Sequence, residues 1–311
     1  MGSPEFAVPP LRALAAAGYQ VVAAVTQPDK PAGRGGALSE PAVKAAAAAL
    51  GVPVLQPGRL KDPSAVEALE GLAPDLFVVA AYGKILPQAV LDIPKRGSVN
   101  VHASLLPRWR GASPITAAIL AGDVETGVSI MEMALAMDAG PVIAKASTPI
   151  GGEDTTGTLE PRLAELGART LIGVLPGWYD RQITPEAQDE AHVTLCRLVS
   201  KADGHLRASM TVDEASRAVR AYNPWPGAYV LYRGERLAIW AAHVLAGACE
   251  GRSPGTCAVV GKSPAVVFRT ASGGTAALAL DLVQRPGGKR LSGEQFLNGE
   301  RGLLAPEVGL A

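Results

Sequence analysis

Residues 76–81 read Leu-Phe-Val-Val-Ala-Ala, and residues 97–102 read Gly-Ser-Val-Asn-Val-His. The first run has no polar face. A strand with one wet face alternates apolar and polar residues, so an unbroken apolar run belongs to a strand covered on both sides, as parallel strands are. The second run reads as the next strand. Outward from this pair, strand-like and helix-like stretches alternate. Residues 11–18 form an Ala/Leu-rich helix ending in Gly18, and residues 19–26 a buried strand. Residues 28–41 are a Pro/Gly loop, 42–50 a helix stopped by Gly51, 52–55 a short strand and 65–72 a helix. Further on, 113–121 is helical, 127–133 is a strand with 142–147 as a hairpin partner, and 158–179 is largely helical. Strands alternating with helices imply a mostly parallel, doubly wound sheet.

The pattern changes after Asp180. Residues 181–194 are polar and read as a linker. A short helix at 212–221 follows, with Thr211 as its cap, then Asn-Pro-Trp-Pro-Gly-Ala at 223–228. Short strands come next at 229–232, 237–242, 256–260, 265–269 and 276–282, separated by Gly and Pro at the spacing of small sandwiches and barrels. A second, β-rich domain therefore begins near residue 205.

Composition narrows the function. Apolar residues make up 48% of the 311, enough for a packed core, so the chain is not a disordered segment. Basic and acidic residues number 29 each, which argues against a broadly basic nucleic-acid binder. From Leu195 onward, however, there are 14 basic against 9 acidic residues, a local excess that suits contact with a polyanion as well as it suits chance. Cys196, Cys249 and Cys257 form no CxxC pair, so reduced thiols are expected and no zinc site. No apolar run is long enough to span a bilayer, and Glu5, Pro9 and Pro10 interrupt any signal-peptide pattern, so a cytoplasmic protein is expected.

The densest cluster of chemically able residues is Asn-Val-His-Ala-Ser-Leu-Leu-Pro-Arg-Trp-Arg-Gly at 100–111. It starts at a strand end, where ligands bind in open α/β sheets. Asn100 and His102 are two apart on a strand and share a face. An amide donor beside an imidazole suits acyl transfer: one group hydrogen-bonds a developing oxyanion, the other moves protons. A satisfied core histidine beside a turn asparagine fits the pattern equally well. Asp138, in Met-Asp-Ala-Gly at 137–140, has the chemistry to orient that imidazole and balance its cation. It also reads as an ordinary Asp-x-Gly turn. No serine sits in a G-x-S-x-G elbow, and there is no P-loop and no G-x-G-x-x-G after a strand. His192, His205 and His243 stand alone and read as structural or surface residues.

Several stretches taken together resemble the methionyl-tRNA formyltransferase family of folate-dependent formyltransferases. They are residues 1–11, 26–35, 78–87, 100–115, 122–133, 137–142, 153–159 and 221–228, in family order over nearly the whole chain. The run from Asn100 through His102, Ser104, Leu105, Leu106 and Pro107 to Arg110 and Gly111 is the most specific of them. The resemblance implies a Rossmann-like formyl-transfer domain over 1–183, a linker over 184–204, and a β-barrel of oligonucleotide-binding type over 205–311 that binds tRNA. The family also has an apolar strand ahead of its MGSPEFA-like turn; Met1 stands where that strand would end, so the expected sheet lacks its first strand here. Asn100, His102 and Asp138 match the family's catalytic trio. Ser104, Leu105, Leu106 and Pro107, with Tyr82, Gly83 and Ile85, match the folate-binding segments. Arg34, Lys44 and Lys201 fall at positions that face tRNA. The implied reaction moves the formyl group of 10-formyltetrahydrofolate to the α-amine of initiator methionyl-tRNA, without a metal, in a monomeric enzyme of translation initiation. Sugar-nucleotide N-formyl transfer, and a catalytically impaired RNA-binding module, are the alternatives.

Overall fold

The computed structural model describes residues 1–32, 37–249 and 251–299. It divides into two compact units. One comprises Met1–Pro114, Glu125–Pro149 and Leu159–Arg197; the other comprises Ile115–Val124, Ile150–Thr158 and the chain from Leu198 onward.

In chain order the elements of the first half are α1 (Val8–Ala16), β1 (Ala24–Val25), β2 (Lys30–Ala32), β3 (Ala37–Ser39), α2 (Ala42–Ala49), β4 (Val54–Leu55), α3 (Pro63–Glu70), β5 (Phe77–Ala80), α4 (Gln88–Leu91), β6 (Ser98–His102), β7 (Arg110–Gly111), α5 (Pro114–Ala121), β8 (Glu125–Glu132), β9 (Val142–Pro149), α6 (Thr156–Tyr179) and β10 (Leu195–Cys196). The principal sheet has the order β5-β6-β8-β9. β5 and β6 are parallel, and β6–β8 and β8–β9 are antiparallel. This sheet is therefore mixed rather than mostly parallel: β9 returns from β8 through a loop too short for a crossover helix. The stretch read as a Pro/Gly loop at 28–41 contains an antiparallel ladder, β2 on β3, in which Pro31 faces Leu38.

β5 is buried along most of its length, as its lack of polar residues requires. Its Phe77 and Val79 join Val25, Leu69, Tyr82 and Val90 in one apolar cluster. Every residue of β6 is buried. Val101 presses on α6 so closely that a Cβ on Gly167 would lie 2.6 Å from its methyl group. Asn100 and His102 alternate with Val99 and Val101 and so point to the other face.

Residues 19–26 form a ladder only at β1, which pairs with β4 and not with β5. Between β1 and β5 stands the tip of the chain. The Gly2 N–H donates to the Val25 carbonyl at 3.0 Å, and the Ala80 N–H to the Met1 carbonyl at 2.9 Å. The Met1 amine donates to the Val78 carbonyl at 2.6 Å. Met1 and Gly2 thus bridge β1 and β5 through backbone hydrogen bonds. Residues 19–23 pair with no strand among the described residues and are not strand themselves. They line a cavity of about 490 Å³ together with Met1, Leu69, Phe77 and Leu175.

The second unit holds α7 (Val212–Ala221), β11 (Ala228–Tyr232), β12 (Glu235–Leu245), β13 (Cys257–Val260), β14 (Ser263–Arg269), β15 (Thr275–Gln284), β16 (Arg290–Ser292) and α8 (Gly293–Gly299). Its sheet runs β11-β12-β15-β14-β13, with β16 added to β15, and all these pairings are antiparallel. Among the described residues no pairing closes it into a barrel. α7 begins where Thr211 predicts: Thr211 accepts from the Glu214 N–H at 3.2 Å while Glu214 accepts from the Thr211 N–H at 2.8 Å. Val219 and Tyr222 pack with Val266, Phe268 and Leu278 in one core. Among the described residues no helix is long and apolar enough to cross a membrane.

Candidate active site

β6 delivers Asn100 and His102 to one face at its carboxyl end. Both are buried, at 9% and 6% exposure, which is unusual for polar side chains and calls for partners. His102 has two. Its Nε2 lies 3.0 Å from the Trp109 carbonyl oxygen. A carbonyl only accepts, so Nε2 carries the proton of the neutral ring. Its Nδ1 faces Asp138 Oδ1 at 3.7 Å. A second ring proton would thus stand between Nδ1 and a carboxylate. The Asn100 amide makes no hydrogen bond among the described residues, so its donors are open to a substrate.

The loop after β6 is stitched to β8 and to itself. Ser129 Oγ donates to the Ser104 carbonyl at 2.7 Å and accepts from the Leu106 N–H at 3.0 Å. Ser104 Oγ donates to the Arg108 carbonyl at 2.6 Å. The Leu106–Pro107 bond is cis. Trp109 adopts a left-handed backbone, φ 61°, costly for a bulky residue and here tied down because its N–H donates to Thr194 Oγ1 at 2.8 Å.

Asp138 is also left-handed, φ 50°. Its Oδ2 accepts the Gly111 N–H at 2.9 Å, while Oδ1 faces His102. Gly111 is required here: its φ is 123°, and a Cβ would lie 2.0 Å from the Cys196 carbonyl oxygen of β10. The Cys196 thiol lies 3.6 Å from the Trp109 carbonyl oxygen, and burial pushes its pKa up. It is not set up as a nucleophile. Among the described residues no group of three His, Cys, Asp or Glu side chains is placed to hold a metal.

This geometry stands beside clear likenesses to known proteins. A family model described as "Formyl transferase" matches residues 2–175, and one described as "Formyl transferase, C-terminal domain" matches 198–301. The chain belongs to the formyl transferase family. It is 48% identical to a protein of Methylococcus capsulatus named methionyl-tRNA formyltransferase over 297 residues, covering 96% of this chain and 94% of that one. It is 45% identical to a protein of the same name from Dechloromonas aromatica over 301 residues, with the same coverages. Among solved structures it resembles a sugar 3N-formyl transferase determined in the presence of dTDP and 5-N-formyl-THF, at TM-score 0.66 and 14% identity, covering 90% of this chain and 96% of that one. At that identity only the fold is shared, and it agrees with a Rossmann-like formyl transferase N-terminal domain followed by a domain with a mostly antiparallel sheet.

Within this formyl transferase, Asn100, His102 and Asp138 lie together. Of the residues expected at the folate, Ser104 and Leu106 are buried inside the loop, at 0% and 1% exposure, and hold its shape. Leu105 is partly exposed, and so is Pro107, whose carbonyl accepts from the Thr194 N–H. β5 and β6 are parallel, so the loop carrying Tyr82, Gly83 and Ile85 leaves the same sheet edge as the 103–109 loop. Tyr82 points into the core, and burial raises its phenol pKa. Gly83 backs onto the Gln27 amide, which donates to the Tyr82 carbonyl at 2.8 Å. Ile85 is 84% exposed. Of the cations expected at tRNA, Arg34 lies outside the described residues. Lys44 is engaged by Asp29 at 2.6 Å and Glu40 at 3.2 Å, which raise its pKa. Lys201 is exposed, on a short 3-10 turn.

Residues 186–196 have the polar composition of a linker. They are bound to the site. Glu186 and Val142 exchange both backbone hydrogen bonds, and β10 pairs with β7. Gln188, Glu190 and Thr194 each bond the 109–110 segment. No motif marks them, because their partners are mostly backbone groups or residues some 80 positions away.

Gly111→Ala is expected to cost about 3 kcal/mol of stability, since it combines a disfavoured φ with a backbone clash. Thermal and urea unfolding of the variant check it, and a loss under 1 kcal/mol would contradict the packing described.

Proposed function

We infer that this chain transfers the formyl group of 10-formyltetrahydrofolate to the α-amine of methionyl-initiator tRNA, acting in translation initiation. One observation carries the reading. An open Asn100 amide lies on the same strand face as a His102–Asp138 pair, in a chain 48% identical over 96% of its length to a protein named methionyl-tRNA formyltransferase.

The folate supplies the formyl carbon that the amine attacks. The parts of the chain that fit it are the edge formed by the 103–109 and 81–87 loops, with Leu105, Pro107 and the exposed Ile85 as contacts. Ser104, Leu106 and Tyr82 support those loops from within, and the exposed Gly83 adds backbone surface at their edge. The Asn100 amide donates to the formyl oxygen as negative charge gathers there. Such preorganised donors are worth about 10²–10³ in rate. Asp138 holds the ring of His102 in register and faces Nδ1, which takes up the proton of the attacking amine. As the tetrahedral intermediate collapses, the bond between the formyl carbon and N10 breaks, His102 or water returns a proton to N10, and tetrahydrofolate leaves. Trp109 keeps the other ring nitrogen occupied and so fixes the tautomer. Holding the reactants in place accounts for much of the remaining acceleration.

We assign 1–183 to formyl transfer, 184–204 to a joining segment and 205–311 to tRNA binding, the last as a barrel of oligonucleotide-binding type. Features of the second unit support an RNA surface. Arg236 lies 4.2 Å over the Tyr229 ring, against which His205 stacks at 5.1 Å. Arg290 lies 3.9 Å over Trp240, and Trp225 is 52% exposed. Cations and aromatic faces together suit backbone neutralisation and base stacking. We place Lys201 on this surface, and assign Arg34 and Lys44 to the acceptor end. The enzyme is taken to be a cytoplasmic monomer.

The test is formylation of initiator methionyl-tRNA by purified protein with 10-formyltetrahydrofolate, beside elongator methionyl-tRNA and an amino-sugar nucleotide. Formyl-methionine from the initiator alone is expected, with binding weakened by salt. Formylation of the sugar alone would overturn the acceptor assignment. Asn100→Ala is expected to lower kcat about 10²–10³-fold with the fold intact.

A further inference from the structure

We propose that Gln188 is a positioning residue for formyl transfer: it clamps the backbone of the 138–140 turn so that the Asp138 carboxylate is held against His102. The inference rests on the reading of the site given above.

The geometry that carries it is a relay of side chains across three segments. The Gln188 amide group is used completely. Its Nε2 donates to the Asp138 carbonyl at 2.8 Å and to the Gly140 carbonyl at 2.7 Å. Its Oε1 accepts from Arg110 Nε at 2.9 Å. Arg110 in turn is buried to 7% side-chain exposure and gives its other nitrogens to Glu190, at 2.7 and 3.3 Å. The amide is thus oriented from behind by a fixed guanidinium and has no freedom to flip.

Asp138 needs such a clamp. Its left-handed backbone is a minority conformation for a non-glycine residue, and the surroundings must hold it. One carboxylate oxygen is occupied by the Gly111 N–H, and the other faces His102 at 3.7 Å, longer than a hydrogen bond. A small rotation of the turn would move that oxygen out of reach of the ring. Two hydrogen bonds to the carbonyls of residues 138 and 140 fix the turn on both sides of the side chain that matters. At metal sites, partners one step behind a ligand change affinity or activity about 10–100-fold, and an effect of that order is expected here.

Gln188→Glu is the sharp test. It keeps size and the Arg110 contact, but replaces two donors with an acceptor facing two carbonyls. Gln188→Met removes the donors without adding charge. In the formylation assay each is expected to lower kcat about 10–100-fold, while the KM values for folate and tRNA stay within about threefold of wild type. In an Asp138→Ala background, followed by single-turnover formylation, the same changes at 188 should cost less than twofold, because Gln188 acts only through Asp138. Melting curves identify which variants are folded. A folded variant with kcat within twofold of wild type would overturn the proposal. So would an undiminished loss in the Asp138→Ala background, or loss of the fold in both variants, which would make Gln188 merely structural. If the wild-type chain formylates nothing, the function assignment itself fails, a result distinct from a functional wild type with indifferent variants.

Discussion

A guanidinium removed from water has to be met by hydrogen-bond acceptors or its desolvation goes uncompensated, and the arrangement of this site follows from how Arg110 is met. Its partners, Gln188 and Glu190, come from some 80 residues later in the chain. To reach Arg110, residues 186–196 must lie across the loop that follows the central strand. Once there, they add β10 to β7, seat Thr194 on Trp109, and put the remaining Gln188 donors on the Asp138 turn. The Trp109 carbonyl and the Asp138 carboxylate then flank the two nitrogens of one imidazole. The pair is buried on one side only: the Arg110 side chain is 7% exposed and that of Glu190 75%.

The scaffold beneath is an asymmetric strand. β6 carries Val99 and Val101 on the face that meets α6, and Asn100 and His102 on the other. The apolar face fixes the register, because a slip by one residue would put the amide and imidazole into the helix packing. The parallel neighbour β5 brings the 81–87 loop to the same edge. On the far side of β5, Met1 and Gly2 bridge to β1 through backbone hydrogen bonds. The β1–β4 pair is otherwise separate from the principal sheet, with the apolar cavity in between.

The second unit uses charge differently. Arg236 and Arg290 sit over aromatic rings. His243, which has no neighbour in sequence to explain it, bonds Asp281 across the ladder at 2.8 Å, one strand over. Such cross-strand pairs depend on register and leave no trace in local spacing. The same holds for the bulge in β12 around Ala241, which interrupts the expected alternation.

Local chemistry was legible wherever cause and effect lie within a few residues. The unalternating run at 76–81, the Thr211–Glu214 capping box, the 127–147 hairpin and the i, i+2 placement of Asn100 and His102 all follow from periodicity or short-range hydrogen bonding. A strand's hydrogen bonds depend on its neighbours, so residues 19–23 have strand composition without a ladder, and 28–41 has loop composition with one. Residue type and spacing near Asp138 do not distinguish an ordinary Asp-x-Gly turn from a carboxylate held at an imidazole; only the resemblance of residues 137–142 to the family pointed to the latter. The sequence by itself determined which side chains are able to do acyl-transfer chemistry and which strand presents two of them. The family resemblance names Asp138 beside them, but only the tertiary structure decided that it faces His102 at 3.7 Å and that Gln188, Arg110 and Glu190 meet around its turn, because a buried charge and a left-handed turn are satisfied by groups from wherever the folded chain brings them.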